Sequence, residues 1–136
     1  KKKCSELGLD NKVLFVGQVI GSEKESLLKE SEFVVLPSYS ENFGNVLLEA
    51  MSFGKCVVCT PGVGLAERIK SSNVGYVISE DAEMMGVELN NILNNKKQLL
   101  TMGRNARLLY LSEYSWLSLA KKFDDLYKMA ILKNNK

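Results

Sequence analysis

Four short apolar runs of four or five residues punctuate the chain before Ser79: Lys12–Val16, Glu32–Leu36, Lys55–Cys59 and Gly75–Ile78. Each is rich in Val, Phe or Ile and closed by glycine, proline or polar residues, a pattern that predicts four β-strands. Between them the spacing turns helical. Ser22-Glu23-Lys24-Glu25 opens a short helix carrying Leu27 and Leu28, with Ser22 as N-cap and Glu25 at the third position of a capping box. An apolar helix is predicted over Asn45–Phe53, closed by Gly54, and another from the Pro61–Gly64 turn through Ile69. After Ser79 everything reads as helix: Ala82–Leu93, Lys97–Leu109, and a third capped by Ser115 with apolar positions at Leu119, Phe123, Leu126 and Tyr127. Residues 1–8 read as a helix entered part-way along and stopped by Gly8, and Lys133–Lys136 as a frayed end.

Short apolar strands alternating with helices predict an α/β fold, a Rossmann-like parallel sheet with flanking helices. The length of 136 residues suits one domain, expected to bury roughly 65–70% of the chain's surface. No repeat, linker or low-complexity tract interrupts it. In such sheets ligands bind beyond the carboxyl ends of the strands, where loops run into helix N-termini. Two loops occupy that position, Ser38–Gly44 and Thr60–Gly64.

Composition narrows the chemistry. There is no histidine, which removes Ser-His-Asp and Cys-His machinery, HExxH metal sites and imidazole acid–base catalysis. Carboxylates, backbone amides, lysine and arginine remain. A net charge of +2, with no basic run beyond Lys1-Lys2-Lys3, excludes an electrostatic grip on nucleic acid. Cys4, Cys56 and Cys59 are odd in number and fit no disulfide framework, which points to a reducing compartment. Cys56 and Cys59 lie three apart on a predicted strand and face opposite sides of the sheet, so they read as small buried hydrophobes. No apolar run approaches the roughly 18 residues of a membrane span and no signal peptide opens the chain, so the expected location is cytoplasmic.

The first loop leads from Pro37 through Ser38-Tyr39-Ser40-Glu41-Asn42-Phe43-Gly44 into the Asn45 helix. Gly44 permits close backbone approach, and the amides of Phe43 to Val46 are donors without partners at a helix start, suited to a phosphate or sugar oxygen. Glu41 precedes that start. Glu49 lies about one turn inside, in an otherwise apolar helix, where a ligand diol would satisfy its carboxylate. The plainer roles remain open, with Glu41 a helix-end charge and Glu49 a partly exposed surface residue. Tyr39 and Phe43 are able to stack on a base or sugar, with core packing the simpler role. Thr60-Pro61-Gly62-Val63-Gly64 is by itself only a tight turn; its interest is that it should lie beside the first loop. Glu67 falls in the first turn of the following helix, where the dipole favours it.

Glu41-x7-Glu49, within Pro-Ser-x-x-Glu-Asn-Phe-Gly-Asn-x-x-x-Glu-Ala-Met, resembles the E-x7-E signature of GT-B retaining glycosyltransferases of the family 4, or group 1, type. The likeness continues through Val13–Gly17, Met51–Val58, Gly64–Glu67, Gly75–Val77 and Tyr114-Ser115-Trp116, from about Leu7 to Ile131. It implies a donor-binding domain. Glu41 would be the catalytic carboxylate against the donor sugar, with Asn42, Phe43 and Gly44 contacting sugar hydroxyls. The stretch near Leu47 and Leu48 would border the diphosphate and ribose, Asn45 and Val46 would also be donor-binding, Glu49 would hold the ribose hydroxyls, and Gly17 would border the diphosphate or base. The donor would be a UDP- or GDP-sugar and no metal or other cofactor is expected, so amides and basic residues stabilise the leaving diphosphate.

The departures from the family pattern shape further expectations. Nothing resembles the N-terminal acceptor domain, through which a glycan or lipid-linked acceptor would be bound. The donor domain's opening strand–helix–strand, with its glycine turn and its diphosphate-gripping arginine and lysine, is not seen either. Lys55 and Arg68 are no replacement. The chain is therefore expected to be a partial donor domain, inactive alone, from a bacterial-type enzyme building a surface glycan or glycolipid at the inner face of the membrane. The Lys12–Val16 strand would pair beside the Phe33–Leu36 strand, or an exposed sheet edge would be shared between chains. The alternative reading is a non-catalytic α/β nucleotide-binding or interaction module. A response-regulator-like domain is excluded, because no acidic cluster follows the first strand.

Overall fold

The structure, a computed structural model, describes residues 1–134. Three parallel strands form its sheet, β1 (Phe33–Leu36), β2 (Cys56–Cys59) and β3 (Gly75–Val77), in the order β1-β2-β3. Val34 pairs with Val57 and Val58 with Tyr76. Helices α1 (Lys2–Glu6) and α2 (Gly21–Glu30) precede β1; α3 (Asn45–Ser52) and α4 (Ala66–Ser71) connect the strands; α5 (Ala82–Leu93), α6 (Lys96–Leu109), a π-helical turn (Tyr110–Tyr114) and α7 (Trp116–Asn134) follow. The expected α/β class and the order of helices hold. The Lys133–Lys136 end is helical through Asn134, and Asn135 and Lys136 lie outside the described residues.

β2 is the centre. All four of its residues are buried, and the pleat sends Val57 and Cys59 to one face and Cys56 and Val58 to the other. On the first face they meet Leu47, Ala50 and Met51 of α3 and Ala66 and Ile69 of α4. On the second they meet Ile92 of α5 and Leu99 and Met102 of α6. The two thiols are thus kept apart by the sheet, as their spacing predicts. Burial pushes Cys56 up to about 12 and Cys59 up to about 11, so both stay protonated at neutral pH.

Three expectations need correction. Lys12–Val16 is not a strand: Val13, Leu14, Phe15 and Val16 join no strand ladder among the described residues, the Val13 amide donating instead to the Leu9 carbonyl at 3.1 Å, and Leu14 is 82% exposed. β-structure requires a partner edge for its amides and carbonyls, and this segment does not reach β1, so pairing beside Phe33–Leu36 does not occur. Second, Ser22 caps nothing. The helix begins at Gly21 with Ile20 as N-cap, and Ser22 instead accepts, through its carbonyl, a bond from the Ser26 hydroxyl at 2.9 Å. Third, α7 packs little along its length: Trp116 and Leu117 are more than 80% exposed, and Phe123, Leu126 and Tyr127 are all more than half exposed. The chain exposes 9789 Å², against roughly 7,100 Å² for a compact protein of this size. It buries roughly 55% of its surface rather than the expected 65–70%, and large apolar side chains in residues 13–20 and α7 are among those left exposed.

Candidate functional site

The two loops at the carboxyl ends of β1 and β2 are joined. The Glu41 amide donates to the Gly62 carbonyl at 3.1 Å, and the Gly64 amide donates to the Glu41 carbonyl at 2.8 Å, an isolated parallel bridge between Glu41 and Val63. Thr60, almost wholly buried, donates its hydroxyl to the Ser38 carbonyl at 2.5 Å. Gly62 and Gly64 are glycines because of this contact. A Cβ on Gly62 would lie 2.0 Å from the Tyr39 carbonyl oxygen, and one on Gly64 2.1 Å from that of Asn42. The Gly-x-Gly of the second loop is therefore a backbone-packing device that holds the first loop, and with it Glu41, in place.

Gly44 ends that loop at φ +90°, and a Cβ there would press on Val63 and Leu36 at 3.1 and 3.2 Å. Its conformation starts α3. The amides of Gly44, Asn45 and Val46 find no acceptor among the described residues, while Leu47 donates back to Gly44 at 2.9 Å. The Phe43 amide is not free as the sequence suggests, since it donates to Glu41 Oε1 at 3.3 Å. That bond fixes the Glu41 side chain against the helix start. Glu41 is half-buried, with Asn42 and Asn45 exposed beside it.

The other sequence-predicted positions divide. Leu47 is fully buried and Val46 packs on the same core, so they can offer a ligand only backbone. Phe43 is 42% exposed and meets the Tyr114 ring at 6.2 Å between centroids. Tyr39 is 80% exposed, which overturns its simpler role in the core. Gly17 lies in the stretch that joins no strand, and is exposed. Lys55 and Arg68 are engaged elsewhere: the Lys55 ammonium donates to the Lys29 carbonyl at 2.6 Å, ending α2, and Arg68 is paired with Glu113.

Glu49 projects from α3 between two cavities. One of about 680 Å³ is lined by Phe43, Asn45, Glu49, Tyr110, Tyr114 and Trp116 among others. The other, about 310 Å³, is lined by Ile20, Gly21, Lys24, Leu28, Glu49 and Phe53 among others. A third cavity, beside Pro61, Glu67 and Lys70, touches neither Glu41 nor Glu49. Sequence reasoning missed Lys24, whose ammonium stands 2.5 Å from Glu49 Oε2. The approach falls outside hydrogen-bonding geometry: Oε2 is sealed from solvent and carries no hydrogen bond. One signal was available, because Lys24 sits one helical turn before buried Leu28 and so shares the inward stripe of α2. Tyr110 and Tyr114, on the π-helical turn, were also unforeseen as walls of the site. Among the described residues no three His, Cys, Asp or Glu side chains group as they would around a metal ion.

Comparison with known proteins identifies the family and the fold. Residues 1–109 match the family described as "Glycosyl transferases group 1". An uncharacterized glycosyltransferase of Methanocaldococcus jannaschii is 34% identical over 129 residues, covering 94% of this chain and 33% of that protein. Sucrose-phosphate synthase from Thermosynechococcus elongatus superposes with a TM-score of 0.84 at 26% identity, over 97% of this chain and 33% of its own. Anabaena HepE, solved in complex with UDP and glucose, shares the fold with a TM-score of 0.79 at 21% identity, over 94% of this chain and 35% of its own. The chain spans about a third of the length of the relatives it matches.

Proposed function

This chain belongs to the group 1 glycosyl transferases, and on that premise we propose that it is the nucleotide-sugar donor-binding part of a retaining enzyme. The donor is a UDP- or GDP-sugar, and a hexose-type sugar passes to a glycan or glycolipid acceptor held by a further domain of the intact enzyme. The observation that carries this reading is one helix, α3, at whose start three amides find no acceptor among the described residues and whose Glu49, one turn in, lines two cavities.

A nucleoside diphosphate sugar matches that spacing chemically. The free amides of Gly44, Asn45 and Val46, with the helix dipole, take diphosphate or sugar oxygens. Glu49 accepts the two ribose hydroxyls. Glu41, aimed by its bond from the Phe43 amide, faces the donor sugar, with Asn42 and Phe43 beside it. Leu47 contributes only backbone, and the Gly17 stretch borders the base. The leaving diphosphate is stabilised by amides and cationic side chains in place of a resident metal. The HepE structures with UDP and with UDP-glucose support UDP as the first nucleotide to try.

Ligand-observed NMR with UDP and GDP tests this directly. One of the two should bind, and Glu49→Gln should weaken it about tenfold or more, the loss of charge-assisted hydrogen bonds. Glu41→Gln should leave nucleotide binding within about twofold but slow transfer by the intact enzyme on the order of a hundredfold. If neither nucleotide binds at millimolar concentration, the donor reading fails and the interaction-module reading takes its place.

A further inference from the structure

Among the described residues Thr60 is the one polar side chain in the buried core, 1% exposed, at the end of β2. Valine has the same shape and would bury a methyl where threonine buries a hydroxyl, so packing does not account for the choice. The hydroxyl makes one bond, donated to the Ser38 carbonyl at 2.5 Å across 22 positions of the chain.

That bond holds the root of the Glu41 loop. Ser38 follows Pro37 at the end of β1, and Glu41 lies three residues on. Tyr39 and Ser40, between them, are exposed, and their amides and carbonyls make no hydrogen bond among the described residues. Three rungs therefore join the two loops: Thr60 to the Ser38 carbonyl, the Glu41 amide to Gly62, and the Gly64 amide to Glu41. Gly62 and Gly64 are exposed, so water competes for the outer two rungs, whereas the donor of the Thr60 rung is sealed from it. From the backbone the restraint reaches the carboxylate, because the Phe43 amide donates to Glu41 Oε1 at 3.3 Å.

We propose that Thr60 is a positioning residue for sugar transfer, whose buried hydroxyl sets the entry of the Glu41 loop and so the place of the Glu41 carboxylate against the donor sugar. This role rests on the donor-site reading above and deepens it. The nucleotide half of that site does not depend on Thr60, because α3 is held separately by Leu47, Ala50 and Met51 in the core. Loss of the hydroxyl should therefore act on turnover and spare nucleotide affinity, since a reacting group displaced by about 1 Å costs on the order of a hundredfold in rate.

The intact enzyme is compared as wild type, Thr60→Val and Thr60→Ser by amide hydrogen exchange, by UDP and GDP binding, and by nucleotide release from a panel of UDP- and GDP-hexoses. Thr60→Val should speed exchange at the Glu41 and Gly64 amides about tenfold, while the core amides of Val57 and Ile78 change less than about twofold. It should lower kcat about tenfold or more, with KM and nucleotide affinity within about twofold. Thr60→Ser keeps the hydroxyl and should recover most of kcat. A uniform rise in exchange across loops and sheet, or a loss of kcat that Thr60→Ser does not recover, would mean that Thr60 only fills the core, and would overturn the inference. So would unchanged exchange and kcat in Thr60→Val. Either outcome leaves the donor site standing, because nucleotide binding reports on it separately. If neither nucleotide binds the wild-type enzyme, the donor reading fails, and with it the role in transfer.

Discussion

Val13-Leu14-Phe15-Val16 and Cys56-Val57-Val58-Cys59 are the same kind of sequence, four apolar residues rich in β-branched side chains with a polar turn behind them. One is the central strand of the sheet, 0–1% exposed. The other is an unpaired stretch with Leu14 at 82% exposure and Phe15 at 51%. Propensity does not separate them. Neighbours do: β2 has an edge of β1 on one side and of β3 on the other, with α3 and α6 closing its two faces, whereas residues 13–16 meet no strand edge. Apolar patterning says that a segment is able to be a strand, and only a ladder of hydrogen bonds makes it one.

The widest difference between these segments should appear on placing a charge in each. Val58→Asp puts a carboxylate between β2 and α6 with no partner, a cost comparable to the ~5–15 kcal/mol stability of a whole domain. The variant should show no cooperative melt by circular dichroism. Leu14→Asp should melt within about 0.5 kcal/mol of wild type. A matching loss at Leu14 would mean that residues 13–16 are part of the folded core.

The loops that follow the two segments differ in the same sense. Gly64→Ala drives a Cβ into the Asn42 carbonyl and should cost about 1–3 kcal/mol while loosening the bridge that holds Glu41. Gly17→Ala meets open space at φ +70° and should cost about 1 kcal/mol, the left-handed backbone penalty alone. Chemical denaturation of the two variants compares them. Equal costs would show that the Glu41–Val63 bridge contributes little.

The smallest effect is in the thiols. Cys4, half-exposed, should be alkylated at pH 8 while Cys56 and Cys59 stay silent until the chain is unfolded. The folded state holds the Cys56 and Cys59 protons above the ordinary thiol value of 9.0, up to about 12 and about 11. Above pH 9 the unfolded chain therefore binds fewer protons than the native one. Stability is unaffected by these groups below that pH and should fall as pH rises through 9 toward 11–12. A pH series of melting temperatures checks the sign.

Much of the site was legible along the chain. Glu41 and Glu49 have seven residues between them, around a glycine that starts a helix, and that spacing alone puts one before the N-terminus and the other a turn inside. The loop after β2 was expected beside the loop after β1 because parallel strands end at the same edge. Its glycines gave no hint of their purpose, since the carbonyls they make room for belong to the other loop. The meeting of Lys24 with Glu49 was invisible for a related reason, although the inward stripe of α2 marked the lysine's face. Its partner Glu49 lies across a strand and a loop, and no local pattern encodes that contact. The Ser22 cap failed more simply: Gly21 begins the helix one residue before the hydroxyl that should have capped it.

The sequence by itself determined the alternation of strands and helices, the opposite facing of Cys56 and Cys59, and the placing of two carboxylates on one loop–helix unit. These follow from periodicities of two and 3.6 residues, which the backbone imposes on any chain. Tertiary structure alone decided which apolar run became a strand, which glycines touch, and which lysine meets Glu49. Each of those is a meeting of residues distant along the chain, made by hydrogen bonds and charges that have no energy until the fold brings them together.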